Sequence, residues 1–134
     1  MNVIQEPARK LFISQHTYLK RNTENERCKW VIKTKRNSIP VSLVWIQGVV
    51  ICDTLNRVII DDGTGVANVF SAKEAPGFGS WLKNGRYVMI VGELLSVHPS
   101  VKVKALKITE LPRLNSETLW ILEVLDYWKL CEKS

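Results

Sequence analysis

Paired cysteines, clustered histidines and a phosphate-cradling glycine loop are all missing from this sequence, and each gap removes a class of function. Cys28, Cys52 and Cys131 are odd in number, widely spaced and without a C-x-x-C pair. That argues against a disulfide framework and against a structural zinc site, and for a reducing compartment. His16 and His98 are the two histidines, and neither has a partner at metal-ligand spacing. No Ser/His/Asp arrangement and no P-loop is present. Asp61-Asp62 are adjacent carboxylates, but beside Gly63 and Thr64 they read as turn chemistry. We therefore expect no enzyme, no cofactor and no metal. No run reaches the ~18–20 apolar residues of a membrane span. The start MNVIQEPARKLF lacks a basic n-region followed by an apolar h-region, so secretion is not expected. Internal repeats and low-complexity segments are absent too.

What is present is an ordinary globular composition, 46% apolar and 24% charged over 134 residues, which suits one domain. The net charge of +6 is unevenly placed. Residues 1–36 hold nine Lys/Arg against Glu6, Glu24 and Glu26, whereas residues 37–134 hold ten of each sign. The excess lies in the N-terminal quarter, where Arg9, Lys10, Lys20, Arg21, Lys33, Lys35 and Arg36 are candidate nucleic-acid contacts or simply a solvated face.

From Val41 the chain reads as strands bounded by turn residues. Val41–Asp53 is long and rich in β-branched residues, with Gly48 marking a bulge or bend. A turn at Thr54-Leu55-Asn56 leads to Arg57–Asp61, and Asp61–Gly65 turns into Val66–Phe70. A connection follows with one short helix expected near Gly79–Lys83. Tyr87–Ser96 and Val101–Thr109 complete the set, the second slipping parity near Ala105-Leu106 as a bulge would require. Upstream, Lys10–Leu19 and Lys29–Lys35 read as extra strands around a polar Arg21–Arg27 loop.

The last element, Leu119–Cys131, is a helix with Asn115 or Ser116 as N-cap. Its charges Glu123, Asp126 and Lys129 fall within roughly a third of the circumference at ~100° per residue. A surface helix buries one stripe. This one offers about twice that width, so it is expected to dock on another chain. Five strands, a long bent first strand and a closing helix predict an all-β fold with a C-terminal α-helix. The expected architecture is a five-stranded OB-fold barrel with an N-terminal β extension; an SH3-like barrel is the structural alternative, though its strands are usually shorter and it rarely ends in such a helix. The expected organisation is a basic extension over 1–40, a barrel over 41–111 and a partner-docking helix over 115–132, the last two forming one unit over 41–134.

Val44–Val50, Gly85–Gly92, Ala105–Leu111 and Glu117–Val124 resemble, in order, successive blocks of the RecQ-mediated genome instability protein 2 family. Residues 1–40 show no such likeness. The resemblance implies a non-catalytic nuclear subunit that pairs with a larger OB-fold sister of the RecQ-mediated genome instability protein 1 type. Through that sister it would reach a type IA topoisomerase and a RecQ helicase, which dissolve double Holliday junctions and suppress crossovers. The Asp61–Gly65 turn also resembles that of the middle subunit of replication protein A and of Stn1, whose function class, single-stranded DNA or telomere-end binding, is the alternative.

Partner-binding candidates are Lys107, Leu119, Trp120, Ile121, Val124, Tyr127 and Trp128. Tryptophan is enriched at interface hot spots, though Trp120 and Trp128 would also serve the barrel's own core. For DNA, stacking aromatics are needed at ~1–3 kcal/mol per base, and the second and third strands supply only Phe70, read as core. Lys102, Lys104 and Lys107 form a basic row that either touches phosphates or guards a strand edge. Weak or no DNA binding by the chain alone is expected.

Overall fold

The computed structural model describes residues 7–23, 29–54 and 57–133, without the side chain of Lys133. Cys28, the end of the Arg21–Arg27 loop and the Leu55-Asn56 turn lie outside the described residues. The strands are β1 Arg9–Lys10, β2 Leu19–Arg21, β3 Trp30–Lys33, β4 Ser38–Val41, β5 Leu43–Thr54, β6 Arg57–Asp61, β7 Val66–Phe70, β8 Tyr87–Ser96 and β9 Val101–Glu110. One α-helix follows, α1 Arg113–Lys133.

Strands β5 to β9 close on themselves. The order β5-β6-β7-β9-β8 returns to β5 through a β5–β8 pairing, and only β7–β9 is parallel among these. This is the five-stranded OB-fold barrel. Alternation along each strand sends Val44, Ile46, Val50, Ile60, Val103 and Ile108 inward, each nearly fully enclosed. β5 serves both sides: residues 43–49 pair with β8 and residues 49–54 with β6. Gly48 sits at that handover because a Cβ there would meet the Asp61 carbonyl oxygen at 2.7 Å. The register shift itself falls three residues later, between Val50 and Cys52. The slip in β9 is real, since Val91 faces Lys107 while Gly92 faces Ala105, leaving Leu106 as the extra residue.

Three local expectations are corrected. Lys10–Leu19 is not one strand: β1 is two residues long, and a 3₁₀ turn over Ile13–Tyr18 separates it from β2. The connection after β7 has its 3₁₀ turn at Ala72–Glu74, not at Gly79–Lys83. β9 is no edge, because it lies between β7 and β8, so its lysines do not guard one.

β1 runs parallel to β5 and joins the barrel sheet, whereas β2, β3 and β4 form a separate antiparallel sheet. Leu11, Ile13, Leu19, Trp30 and Ile32 from this first quarter belong to the same apolar cluster as the barrel interior. The Asp61–Gly65 turn fixes the attachment. Asp62 Oδ1 accepts from the Thr64 and Gly65 backbone and from the Thr64 hydroxyl, and Oδ2 accepts from Ile13 N at 2.7 Å. The Thr64 hydroxyl oxygen also accepts from Ser14 N. Gly63, at φ +88°, takes the left-handed position that favours glycine.

Candidate protein interface

Trp45 points outward from β5, and α1 lies over it. Trp120 stacks on Trp45 with ring centroids 5.9 Å apart, and Val124 buries one turn later. Among the described residues, neither the Trp45 nor the Trp120 indole N–H finds an acceptor, so this contact is held by packing. The next turn is polar. Trp128 Nε1 donates to the Lys10 carbonyl at 2.6 Å, Arg9 Nη1 donates to the Tyr127 hydroxyl at 3.1 Å, and Lys10 pairs with Glu123 at 3.6 Å. The Lys10 ammonium also lies 4.8 Å from the Trp45 ring centroid, a cation–π contact. β1 is thus a strap wedged between helix and barrel. Burial pushes the Tyr127 phenol above its ordinary pKa, with the Arg9 guanidinium opposing. Burial likewise raises Tyr87, which donates to Gln47 Oε1 beneath α1, and Glu117 and Asp62 add to the effect.

The regular helix starts late. Leu114 (ψ 122°) and Asn115 (φ 74°) are non-helical and break off the first turn, so Asn115 is not an extended N-cap. Beyond the break, α1 turns a belt of apolar side chains to solvent. Leu119, Ile121, Leu122, Leu125 and Leu130 are each 49–66% exposed.

The sequence-predicted partner residues therefore divide. Leu119 and Ile121 are on the exposed belt. Trp120 and Val124 are corrected, because at 2% and 1% exposure they belong to the chain's own helix–barrel contact. Tyr127 and Trp128 are half-buried against β1. Lys107 is exposed on β9, and it shares a cross-strand row with Val91 and Trp45 on the outer barrel face. Leu122, Leu125 and Leu130, which are apolar residues of the same helix outside that candidate set, lie on the exposed belt as well. The i, i+3, i+4 spacing of Thr118, Ile121, Leu122 and Leu125 was the signal for the outward seam.

The basic candidates divide as well. Arg9 and Lys10 are corrected, since their cationic groups are committed to α1 and to Pro40 and are not free for phosphate. Arg21 lies over the Trp30 ring at 5.7 Å. Lys20, Lys33, Lys35 and Arg36 are exposed. Phe70 is not core: it is half-exposed on the outer face, opposite Lys104, with Asn68 opposite Lys102 beside it. Arg57 covers Asn68 through two bonds to its Oδ1, at 3.0 and 2.9 Å. Among the described residues no group of three or more His, Cys, Asp or Glu is arranged to hold a metal, and no helix is long and apolar enough to cross a membrane.

Comparison with known proteins agrees with this architecture. A sequence profile described as RecQ-mediated genome instability protein 2 matches residues 7–128. The protein of that name from Mus musculus is 28% identical over 112 residues, covering 81% of this chain and 75% of its own length. The one from Bos taurus is 29% identical over 112 residues, covering 81% and 71%. Among solved structures, a chain of the S. pombe Stn1–Ten1 complex superposes with a TM-score of 0.70 at 17% identity, covering 96% of each chain. A chain of a replication protein A heterotrimer bound to single-stranded DNA gives 0.64 at 16% identity, covering 90% and 94%. These structural likenesses concern the fold.

Proposed function

Since the chain belongs to the RecQ-mediated genome instability protein 2 family, we propose that it is a non-catalytic OB-fold scaffolding subunit that heterodimerises through the exposed belt of α1. The partner is a larger OB-fold sister subunit, which links the pair to a RecQ-type helicase and a type IA topoisomerase in the nucleus. The assembly's work is dissolution of double Holliday junctions, crossover suppression and genome stability. The observation that carries this reading is the belt itself: five Leu/Ile side chains face solvent on a helix whose opposite side is already satisfied by Trp45 and β1. Such a surface favours a partner, since burying each side chain contributes about 1.5–3 kcal/mol.

The test is co-purification of the tagged chain from cells, with and without Leu119→Asp/Leu122→Asp. The variant should lose the sister subunit while keeping the wild-type melting curve. Retention of the sister would exclude the belt as the interface.

A second reading, a single-stranded DNA-binding subunit, is favoured by one observation: Phe70 lies outward beside Lys102, Lys104 and Arg57. One aromatic gives weak binding at best, so Phe70→Ala should abolish whatever salt-dependent binding the purified chain shows to a short oligo-dT. Binding that survives Phe70→Ala would remove this reading.

A further inference from the structure

The outer side of α1 has two flanks. Taking Lys129 as the midline, Leu122, Leu119 and Leu130 lie to one side at about +20°, +80° and +100° at 100° per residue. Leu125, Ile121 and Trp128 lie to the other at about −40°, −80° and −100°. The second flank borders a groove that the helix forms with the N-terminal quarter. At one end a cavity of about 340 Å³ is lined by Phe12, Gln15, Val124, Leu125, Trp128 and Lys129, with Glu132 at its rim. At the other end a cavity of about 390 Å³ is lined by Lys35, Arg36, Lys129 and Glu132. The two share Lys129 and Glu132, so they form one trough that passes from apolar to cationic.

The cationic end is built. Lys35 and Arg36 sit at the tip of the β3–β4 hairpin, whose turn is closed by Thr34 N donating to the Asn37 carbonyl at 2.7 Å. The Thr34 hydroxyl donates to the same carbonyl and accepts from Asn37 N at 3.0 Å. Both side chains are exposed, and neither they nor Lys129 is in an ion pair among the described residues. Among the described residues lining this end, three cations stand against one carboxylate, Glu132.

We propose that this trough is a docking site for a short acidic linear segment of another protein, carrying one or two bulky apolar side chains next to a run of Asp/Glu. The apolar side chains fill the Phe12–Leu125–Trp128 end and the carboxylates meet Lys35, Arg36 and Lys129. Charge complementarity selects this occupant. A nucleic-acid backbone needs cations along its whole path and open ring faces for its bases, and here the cations are gathered at one end. A basic or neutral helix would leave the three cations uncompensated. The site rests on a different occupant from the sister subunit and borders the belt, sharing Leu125 with it.

The experiment is fluorescence anisotropy on the full chain with a labelled peptide of roughly 12 residues, containing a Phe-Leu pair followed by four Glu. Saturable binding is expected, weakened at least about tenfold by Lys35→Glu/Arg36→Glu and to a similar degree by Lys129→Glu. Replacing the Phe-Leu pair of the peptide with Ser-Ser should weaken it about as much. A melting curve of each variant separates loss of the site from loss of the fold, and partner capture should be unchanged by Lys35→Glu/Arg36→Glu. Lack of saturation up to about 1 mM peptide, or indifference of the folded variants, would overturn the proposal. So would equal binding of the Ser-Ser peptide, or an oligo-dT that binds more tightly than the peptide and is lost in the same variants.

Discussion

Beneath α1, the stack of Trp120 on Trp45 replaces water between the two rings with packing, and truncation of the buried Trp120 leaves a large cavity. Trp120→Ala should cost about 3–5 kcal/mol of stability, read as a lowered urea midpoint, with loss of partner following from loss of fold. A variant that keeps its midpoint but drops the partner would return Trp120 to the interface. Tyr87 adds a pH dependence. Its phenol is raised above the ordinary value of about 10 by burial, aided by Glu117 and Asp62. A raised folded pKa means that the neutral phenol is favoured by the fold. This stability is fully present below pH ~10 and is lost as pH rises toward the folded value. Alkaline unfolding, followed by circular dichroism, should therefore shift upward in Tyr87→Phe. The two aspartates of the Asp61–Gly65 turn were legible as turn chemistry because Gly and Thr followed them. The bond from Ile13 N to Asp62 was not, since it joins segments 49 residues apart.

The elements differ in how plainly their residues announced them, and the physical reason is periodicity. β9 alternates on either side of its bulge because one face fills the barrel, and the Leu106 bulge showed as a slip in parity. β1 could not be seen. Two residues are too short for a pattern, and their pairing with β5 is parallel and non-local. The same blindness made Arg9 and Lys10 look like free cations, though they hold α1. Charge alone does not tell a strap from a solvated face. The helix was seen to be too apolar, but which side of it faced the barrel depended on Trp45, a partner chosen by tertiary structure. From the strap we expect Arg9→Ala to lower the melting temperature by a few degrees, at about 1 kcal/mol for the lost Tyr127 and Pro40 hydrogen bonds. Lys20→Ala, on an exposed side chain, should change it by no more than ~0.5 kcal/mol. Equal melts for the two would mean that β1 does not secure α1.

At the scale of the whole molecule, an apolar core reaches from Leu11 through the barrel, and among the described residues the densest group of exposed large apolar side chains is on α1. That distribution sets its behaviour in isolation. Leu119, Ile121, Leu122, Leu125 and Leu130 together leave several kcal/mol of burial unrealised at about 1.5–3 kcal/mol each. A net charge of +6 opposes association of like copies at low salt, but screening shortens that repulsion to about 8–10 Å at physiological ionic strength. The apolar term should win as salt rises. Light scattering behind size exclusion should then show the purified chain self-associating more in 0.5 M than in 0.05 M salt, a tenfold range spanning Debye lengths of roughly 4 to 14 Å. Co-expression with the sister subunit should give a single heterodimer at both salts, because the same belt is then covered. Leu119→Asp/Leu122→Asp should make the isolated chain monomeric and unable to form that heterodimer. If the variant becomes monomeric yet still assembles, self-association and partner binding use different surfaces. If the wild-type chain stays monomeric at high concentration and high salt, the exposed belt is not sticky enough to be the interface.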